Sequence, residues 1–435
     1  MAETTLDETA QGRPRRVRPS CRLLCQAGVV QTALDQELDT GRLVLGRHAS
    51  CDVVLHDPRV SRRHATLNVA GGGITLEDES RSGTYVGDSR VTRHELKDGD
   101  VLVLGQSALV VHLGGAVAPS EPVDGLVGES PLMRRLRRTL REVASSDVGV
   151  LVLGETGTGK DTVARALHQL AGREGAYVHV NCGALPNDRA ESQLFGHVAG
   201  AFTGAEHPAP GLFRAAEGGT LFLDALDELP LDAQPKLLRA LESREVTPVG
   251  GTHPSPVDAR IVAATSRDLR QAVADGRFRA DLHAQLSDFV LEMPPLRDRL
   301  EDVLLLFASS YGAEPPPLSA GLLRALLGHA WPLNVREVGK IAARLKLEGH
   351  VDRLELAPVA AEMAHGRRLV GWVKAQRPTV DGAMAAAPDK KMLEELLGKH
   401  RGGVSEVAKA LGRSRKQVRR WLTEHGLDPE AFRPE

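Results

Sequence analysis

The central region is defined by the stretch Val148-Gly149-Val150-Leu151-Val152-Leu153-Gly154-Glu155-Thr156-Gly157-Thr158-Gly159-Lys160. Its apolar first half predicts a strand, and the apolar spacing from Thr162 to Leu170 predicts a helix after the glycines. In that setting the glycines let backbone N–H groups surround phosphates, the helix N-terminus adds positive potential, and the lysine reaches the β- and γ-phosphates. The usual Ser or Thr after the lysine is an aspartate here. The predicted nucleotide-binding residues are Gly154, Glu155, Thr156, Gly157, Thr158, Gly159, Lys160 and Asp161.

Strand patterns alternate with helical patterns on both sides of this loop. The strand patterns occupy residues 149–153, 177–181, 220–224, 260–264 and 289–293, and the pattern after residue 294 is mostly helical. This alternation is typical of βαβ units around a parallel sheet, followed by a helical subdomain. The strand at 220–224 ends in a carboxylate, which at this position typically holds Mg²⁺ directly or through water. We therefore expect ATP and Mg²⁺ as cofactors, with Asp224 binding the metal through the nucleotide.

Residues 125–365 resemble the AAA+ domain of sigma-54-dependent transcription activators, the bacterial enhancer-binding proteins. The resemblance implies a catalytic switch asparagine at Asn181, an arginine finger at Arg279 and a nucleotide-sensing arginine at Arg336. Because an arginine finger acts on the nucleotide of a neighbouring protomer, the resemblance also implies a ring oligomer. The most specific element is the GAFTGA loop, which contacts the sigma factor in that family and comprises Gly200, Ala201, Phe202, Thr203, Gly204 and Ala205.

Three departures from the family pattern fall on positions that serve hydrolysis. Ala225 replaces the glutamate that polarises water, Ser266 replaces the sensor I asparagine, and Gln285 replaces a second arginine finger. Losing an activating carboxylate typically costs on the order of 10²–10⁴ in rate. Two hypotheses follow: a working ATPase that remodels the sigma-54 holoenzyme, or a non-hydrolysing ATP-binding regulator that modulates or competes with active sigma-54 activators. Asp227 or Glu228 is an alternative base under the first hypothesis.

Residues 21–113 contain short β-rich runs between turns, which predicts a β-sandwich. Leu45–Arg47, Val60–Ala65 and Ser80–Val86 resemble the loops of a forkhead-associated (FHA) domain, a sandwich that binds phosphothreonine. Arginine pairs with the phosphate and a serine hydroxyl donates to it, while His64 is expected to brace the loop. A serine occupies the position of the family's loop asparagine. The expected phosphothreonine-binding residues are Arg47, Ser61, Arg62, Arg81 and Ser82, and the resemblance implies a phosphothreonine protein or a Ser/Thr kinase as partner.

Residues 389–435 contain apolar patterns at helical spacing. Val404–Gly412 followed by Ser414–Leu422 predicts a helix, a glycine turn and a second helix, and resembles the Fis-type helix-turn-helix of the same activators. Residues 399–422 hold eight basic residues and one acidic residue, a local net charge of +7. We expect this module to bind DNA at an enhancer-like site as a dimer, through Ser414 (as helix N-cap), Arg415, Lys416, Gln417, Arg419 and Arg420.

Composition excludes several other classes. The chain has 435 residues, four cysteines, 3% aromatic residues and a net charge of −2. Four cysteines in a chain of this length do not form a disulfide framework, and so few aromatic residues argue against a stacking platform for single strands. No apolar run approaches the roughly 18–20 residues that span a bilayer, and no secretory signal is visible. We therefore expect a cytoplasmic protein with no membrane partner.

The predicted fold class is multidomain: an FHA β-sandwich, an α/β AAA+ P-loop domain with a helical subdomain, and a small all-α helix-turn-helix. The expected partners are DNA, sigma-54 RNA polymerase, a phosphothreonine protein and further copies of the chain, from dimer to ring. The predicted boundaries are a disordered tail at 1–20, the FHA domain at 21–113, a linker at 114–124, the AAA+ domain at 125–365, a linker at 366–388 and the helix-turn-helix at 389–435.

Overall fold

The computed structural model describes residues 20–38, 41–70, 73–87, 89–113, 119–349, 352–364 and 390–399, together with residues 404, 407, 422, 427 and 432. The described residues before 365 belong to one compact unit and those from 390 onward to a second. The predicted tail up to residue 19, the linker at 366–388 and the six expected DNA contacts lie outside the described residues. Within the described part of the chain, no helix combines the length and apolar character needed to cross a membrane.

The N-terminal module consists of two packed sheets, which confirms the predicted β-sandwich. One sheet has the strand order β2-β1-β11-β10-β7-β8 and the other β4-β3-β5-β6-β9. Apolar residues that alternate along the strands, such as Leu45, Leu67 and Ile74, are buried in the core between the sheets. The described strands are β1 (Ser20–Gln26), β2 (Val29–Glu37), β3 (Gly41–Gly46), β4 (Val53–Val54), β5 (Ala65–Ala70), β6 (Gly73–Asp78), β7 (Thr84–Val86), β8 (Ser89–Val91), β9 (Arg93–Leu96), β10 (Val101–Leu104) and β11 (Ser107–His112).

The central module is the predicted parallel sheet covered by helices. The sheet has the order β13-β14-β17-β12-β18, and every pairing in it is parallel. Its strands are β12 (Val150–Leu153), β13 (Tyr177–Asn181), β14 (Thr220–Asp224), β17 (Arg260–Thr265) and β18 (Val290–Glu292), and a separate hairpin pairs β15 (Glu245–Val246) with β16 (Ser255–Pro256). The helices are α1 (Pro131–Ala144), α2 (Lys160–Leu170), α3 (Ala190–Phe195), α4 (Gly211–Ala215), α5 (Gln234–Ser243), α6 (Leu269–Ala274) and α7 (Ala280–Leu286).

Helices after residue 294 form the predicted helical subdomain, called here the lid: α8 (Glu301–Tyr311), α9 (Ala320–Gly328) and α10 (Asn334–Leu347). Helix α9 begins at a serine N-cap, where the Ser319 hydroxyl accepts a hydrogen bond from the amide of Leu322. The lid buries apolar residues such as Phe307 and Leu323 in the same cluster as Leu24 and Val110 of the FHA module. The FHA sandwich and the lid therefore share one hydrophobic core.

The second unit contains α11 (Lys390–Lys399). Leu393 and Leu397, one turn apart on this helix, are buried with Val407 and Leu422 in a small cluster. These positions belong to the apolar patterns that predicted helices in this region. The cluster supplies the core that a small helical module needs.

Candidate functional site

The glycine-rich loop follows β12 and leads directly into α2. Gly157 and Gly159 have φ angles of +79° and +102°, a conformation that glycine adopts without steric cost. A Cβ atom at Gly157 would lie 2.1 Å from the carbonyl oxygen of Leu333, so the lid approaches the loop there too closely for any side chain. The ammonium of Lys160 donates to the carbonyls of Gly154 (2.8 Å) and Glu155 (3.2 Å). Burial lowers the pKa of Lys160, and the nearby Asp224 carboxylate opposes that shift.

A cavity of about 420 Å³ lies in front of this loop. Parallel strands bring their carboxyl ends to one edge of the sheet, which places Asn181 opposite Asp224 in register at this edge. The cavity therefore collects most of the residues predicted to bind nucleotide, together with two of the three substituted positions. Its lining is Thr156, Gly157, Gly159, Lys160, Asp161, Asp224, Ala225, Ser266, Val335 and Arg336.

Two carboxylates face this cavity, Asp161 and Asp224. Asp161 accepts a hydrogen bond from the Tyr177 hydroxyl (2.9 Å), and the ring nitrogens of His179 lie 4.0 Å from each carboxylate. Within the described residues, no group of three or more His, Cys, Asp or Glu side chains is arranged to hold a metal by itself. Magnesium is typically bound by one or two carboxylates plus nucleotide phosphates and water, so the two aspartates fit Mg²⁺ that arrives with a nucleotide.

No described carboxylate replaces the missing glutamate at position 225. Ala225 has φ +51°, which is left-handed backbone, and its methyl group lines the cavity beside Asp224. Asp227 is buried and accepts a hydrogen bond from the hydroxyl of Thr265 (2.5 Å). The carboxylates of Asp227 and Glu228 lie 3.5 and 3.6 Å from the guanidinium of Arg267, and neither residue lines the cavity. The geometry thus places both alternative bases in other contacts.

The two positions connected with arginine fingers, Arg279 and Gln285, do not line the cavity that contains Lys160. Arg279 precedes α7, is half-exposed, and makes two hydrogen bonds to Asp281 at 3.0 and 2.7 Å. This hydrogen bonding raises the pKa of Arg279 and lowers that of Asp281. Gln285 lines a separate cavity of about 190 Å³. An arginine that acts on the nucleotide of a neighbouring protomer has to lie on the protein surface, and Arg279 is exposed in this way.

A contact between the lid and the phosphate loop was not indicated by any sequence pattern. Both side-chain nitrogens at the tip of Arg297 donate to the buried Glu155 carboxylate, at 2.7 and 2.6 Å. The side-chain nitrogen of Asn334 donates to the carbonyl of Thr156 (3.1 Å), and the side-chain oxygen of Asn334 accepts from the backbone amide of Leu296 (2.7 Å). Further along α10, the amide of Arg336 donates to the carbonyl of Gly157 (3.4 Å). The lid is therefore tied to the loop at three successive residues.

The GAFTGA residues form a tight turn on the surface. The amide of Gly200 donates to the carbonyl of Ala205 (2.8 Å), and Gly200 and Gly204 both have positive φ angles. The Phe202 side chain is 41% exposed, and its ring centroid lies 5.0 Å from that of His197. The amide of Val198 donates to the carbonyl of Val249, which anchors the base of the turn to the β15–β16 connection. The arrangement presents an aromatic ring to solvent on an anchored base.

The predicted phosphothreonine residues meet at one end of the FHA sandwich. The amide of Arg47 donates to the carbonyl of Ser61 (3.1 Å), and the amide of Arg81 lies 3.4 Å from the Ser61 hydroxyl. His64 is fully buried and accepts a hydrogen bond from the amide of Ser61, as expected for a bracing residue, and burial lowers its pKa. The Ser82 hydroxyl donates to the carbonyl of Arg59, so it is used within the protein. Arg47, Arg62 and Arg81 are exposed.

Two regions of the chain match known protein families. Residues 126–292 match the Sigma-54 interaction domain and residues 43–105 match the FHA domain. The C4-dicarboxylate transport transcriptional regulatory protein DctD of Rhizobium meliloti (strain 1021) is 42% identical over 313 residues, which are 70% of this chain and 65% of DctD. The DNA-binding transcriptional regulator NtrC of Bradyrhizobium sp. (strain RP501 Parasponia) is 45% identical over 246 residues, 55% of this chain and 51% of NtrC. The chain thus spans about 65% or less of these relatives.

A solved structure gives the same fold. NtrX from Brucella abortus in complex with ADP superposes with a TM-score of 0.51 at 27% identity, covering 69% of this chain and 70% of that chain. NtrX in complex with ATP gives a TM-score of 0.50 at 28% identity, covering 70% of this chain and 69% of that chain.

Proposed function

This chain belongs to the family of sigma-54-dependent transcriptional regulators and carries an FHA domain, and from that premise we propose that it is a cytoplasmic, DNA-bound regulator of sigma-54 RNA polymerase. We propose that Gly200–Ala205 contact sigma-54, with the exposed Phe202 at the tip. DNA binding is assigned to Ser414, Arg415, Lys416, Gln417, Arg419 and Arg420, and the positive charge of four of these residues supports it. The FHA loops are proposed to bind a phosphothreonine protein and thereby to control the AAA+ domain.

The nucleotide site supports binding of ATP with Mg²⁺. Lys160 and the loop amides would hold the phosphates, Asp161 and Asp224 would hold the metal, and Arg336 on the lid faces the same cavity. The metal, when bound, neutralises phosphate charge. These residues bind and orient the nucleotide, and none of them has to accept a proton.

Hydrolysis needs a group that activates water, and here the cavity has only the methyl group of Ala225 at the expected place. This observation decides between the two hypotheses. We propose that the chain binds ATP and hydrolyses it slowly or not at all, at a rate about 10²–10⁴ lower than that of a site with the carboxylate. Such a chain would modulate or compete with active sigma-54 activators in mixed assemblies. The intact GAFTGA turn favours the alternative, a working ATPase.

Transcription from a sigma-54 promoter with purified components tests this choice. The wild type is compared with Ala225→Glu and with Ala225→Gln, a control of the same shape without the carboxylate, and ATP turnover is measured alongside. Activity that arises only in Ala225→Glu supports the non-hydrolysing regulator. Family-typical ATP turnover and transcription by the wild type would refute it and leave the working ATPase.

A further inference from the structure

The FHA module touches the nucleotide-binding region at two separate places. The first is the segment 125–130 before α1, called here the entry segment. Arg22 on β1 is buried, and its guanidinium donates to the carbonyl of Glu129. The entry segment in turn lies against α2, since a Cβ atom at Gly125 would lie 3.0 Å from the Thr162 side chain. The first contact therefore reaches the helix that follows the phosphate loop.

The second place is the lid, at Leu318, two residues before α9. The amide of Leu318 donates to the carbonyl of Gly28 (2.7 Å), and the side-chain amide of Gln106 donates to the carbonyl of Leu318 (3.1 Å). Beside these bonds, the guanidinium of Arg324 lies 4.5 Å from the centre of the Tyr85 ring. Together with the shared hydrophobic core, these contacts fix the sandwich to the lid.

The lid and the entry segment also contact each other directly. The fully buried Asp302 carboxylate on α8 accepts hydrogen bonds from the amides of Glu129 (2.6 Å) and Ser130 (2.8 Å) and from the Ser130 hydroxyl (2.6 Å). A lid movement away from the phosphate loop would have to break these bonds, or the contacts with the sandwich, or both. The sandwich therefore spans the two parts whose separation would open the cavity.

A buried carboxylate connects this interface with the phosphothreonine loops. Asp57 is 1% exposed, and it accepts hydrogen bonds from the amide of Gln106 (2.7 Å) and the hydroxyl of Ser107 (3.1 Å). Its other oxygen accepts from the amide of Arg59 (2.9 Å), whose carbonyl accepts from Ser82. The turn that holds Leu318 is thus fixed by the loop that leads to the phosphothreonine-binding residues.

We propose that the FHA module is an intramolecular brace that holds the lid against the entry segment, and that phosphothreonine peptide and nucleotide bind with positive coupling through Asp57, Gln106 and Leu318. This proposal deepens the proposed function and rests on it. A peptide that bridges Ser61 and Arg81 orders the loop carrying Asp57. The nucleotide then requires less ordering of the lid, which makes the coupling positive. The coupling is reciprocal, so nucleotide also strengthens peptide binding.

Two glycines offer a matched test of the brace in the full chain. Gly28 and Gly99 have φ angles of +85° and +82°, so an added Cβ strains both alike. At Gly28 it would lie 2.6 Å from the Leu318 carbonyl oxygen, whereas at Gly99 nothing lies within 4 Å. Release of a fluorescent ATP analogue is measured by stopped flow. We expect release about five- to tenfold faster in Gly28→Ala, because overpacking disturbs the contact, and within about twofold of wild type in Gly99→Ala.

The outcomes separate the brace from the function on which it rests. Equal release rates in Gly28→Ala and Gly99→Ala would refute the brace, and a wild type that binds no analogue would refute ATP binding itself. If Gly28→Ala does not fold, Gln106→Met removes the hydrogen bond to Leu318 at nearly constant volume, and its release rate decides instead: a wild-type rate would refute the brace.

The coupling has its own measurement. A degenerate pool of phosphothreonine peptides is added to the wild type, with the unphosphorylated pool as control. We expect the phosphorylated pool alone to slow analogue release about threefold or more, and to lose this effect in Gln106→Met. Binding of the pool with unchanged release would refute the coupling, and a pool that does not bind would refute phosphothreonine recognition while the glycine pair still judges the brace.

Discussion

The ion pair between Arg297 and Glu155 offers a sharp test of how the lid holds the phosphate loop. We expect Arg297→Gln to destabilise the protein and to weaken ATP binding. Glu155 is 10% exposed and Arg297 24% exposed, and two short hydrogen bonds join them. Removing one partner of a fully buried pair costs about 3–5 kcal/mol, and the partial exposure of Arg297 lowers our expectation to about 2–3 kcal/mol. Urea unfolding followed by circular dichroism measures this loss.

A control and a double variant make the test specific. Arg277→Gln removes the ion pair with Asp275, whose atoms lie 2.9 Å apart, but both side chains there are more than one third exposed, so we expect a loss too small to measure. Combining Arg297→Gln with Glu155→Gln removes the buried charge as well and should recover most of the stability, with a coupling energy of about 2 kcal/mol. Equal losses in Arg297→Gln and Arg277→Gln, or no recovery in the double variant, would refute the reasoning.

Three further outcomes are expected. Ala225→Gly should raise the free energy of unfolding, measured by urea titration, by about 0.5–1 kcal/mol, because glycine adopts φ +51° without strain, and a loss of stability would contradict this. Burial raises the pKa of Glu301 from 4.5 to about 7, so its contribution to stability is present below pH 4.5 and is lost as pH rises towards 7. The stability of the wild type relative to Glu301→Gln should therefore fall by about 2 kcal/mol between pH 5 and pH 8 in urea titrations, and a rise would contradict the sign. Burial also raises the pKa of the Cys25 and Cys182 thiols to about 12, so both should resist alkylation by iodoacetamide at pH 8 until urea unfolds the chain, as mass spectrometry of the peptides would show.

Sequence patterns predicted the central sheet well because its inner strands, β14, β17 and β12, are almost fully buried. Such strands read as continuous apolar runs, and the run at 220–224 coincides with β14. By contrast, β7, β8 and β9 are short and partly exposed, and no apolar run indicated them. Short strands of this kind are fixed by their partners in the sheet, which a local pattern does not reveal.

The candidate site divides in the same way. Lys160 and Asp224 belong to local motifs with a fixed position relative to a strand, so the sequence alone predicts that both lie at the same edge of the sheet. Arg297 and Asn334 lie 142 and 179 residues from Glu155, and only tertiary packing brings them to it. The same holds for Gln106 and Leu318, 212 residues apart, whose contact joins two modules that the sequence presents as separate. Long-range polar contacts of this kind leave no periodic trace.

The alanine at position 225 and the docking of the FHA module against the lid have a joint consequence. Lid opening often limits the turnover of an enzyme, so in a hydrolysing assembly a regulatory domain fixed to the lid would oppose each cycle. In a chain that only binds ATP, the bound nucleotide instead adds to the ties that Arg297, Asn334 and Arg336 already make between lid and loop. A brace then does not slow any catalytic cycle. The position of the lid depends instead on whether nucleotide occupies one site and phosphothreonine the other.

Because Ala225 and Ser266 line the cavity and Gln285 lies elsewhere, restoring the glutamate alone would return water activation without the second arginine finger. Ala225→Glu should therefore recover only part of the family's turnover, and the shortfall would measure what Ser266 and Gln285 leave out together.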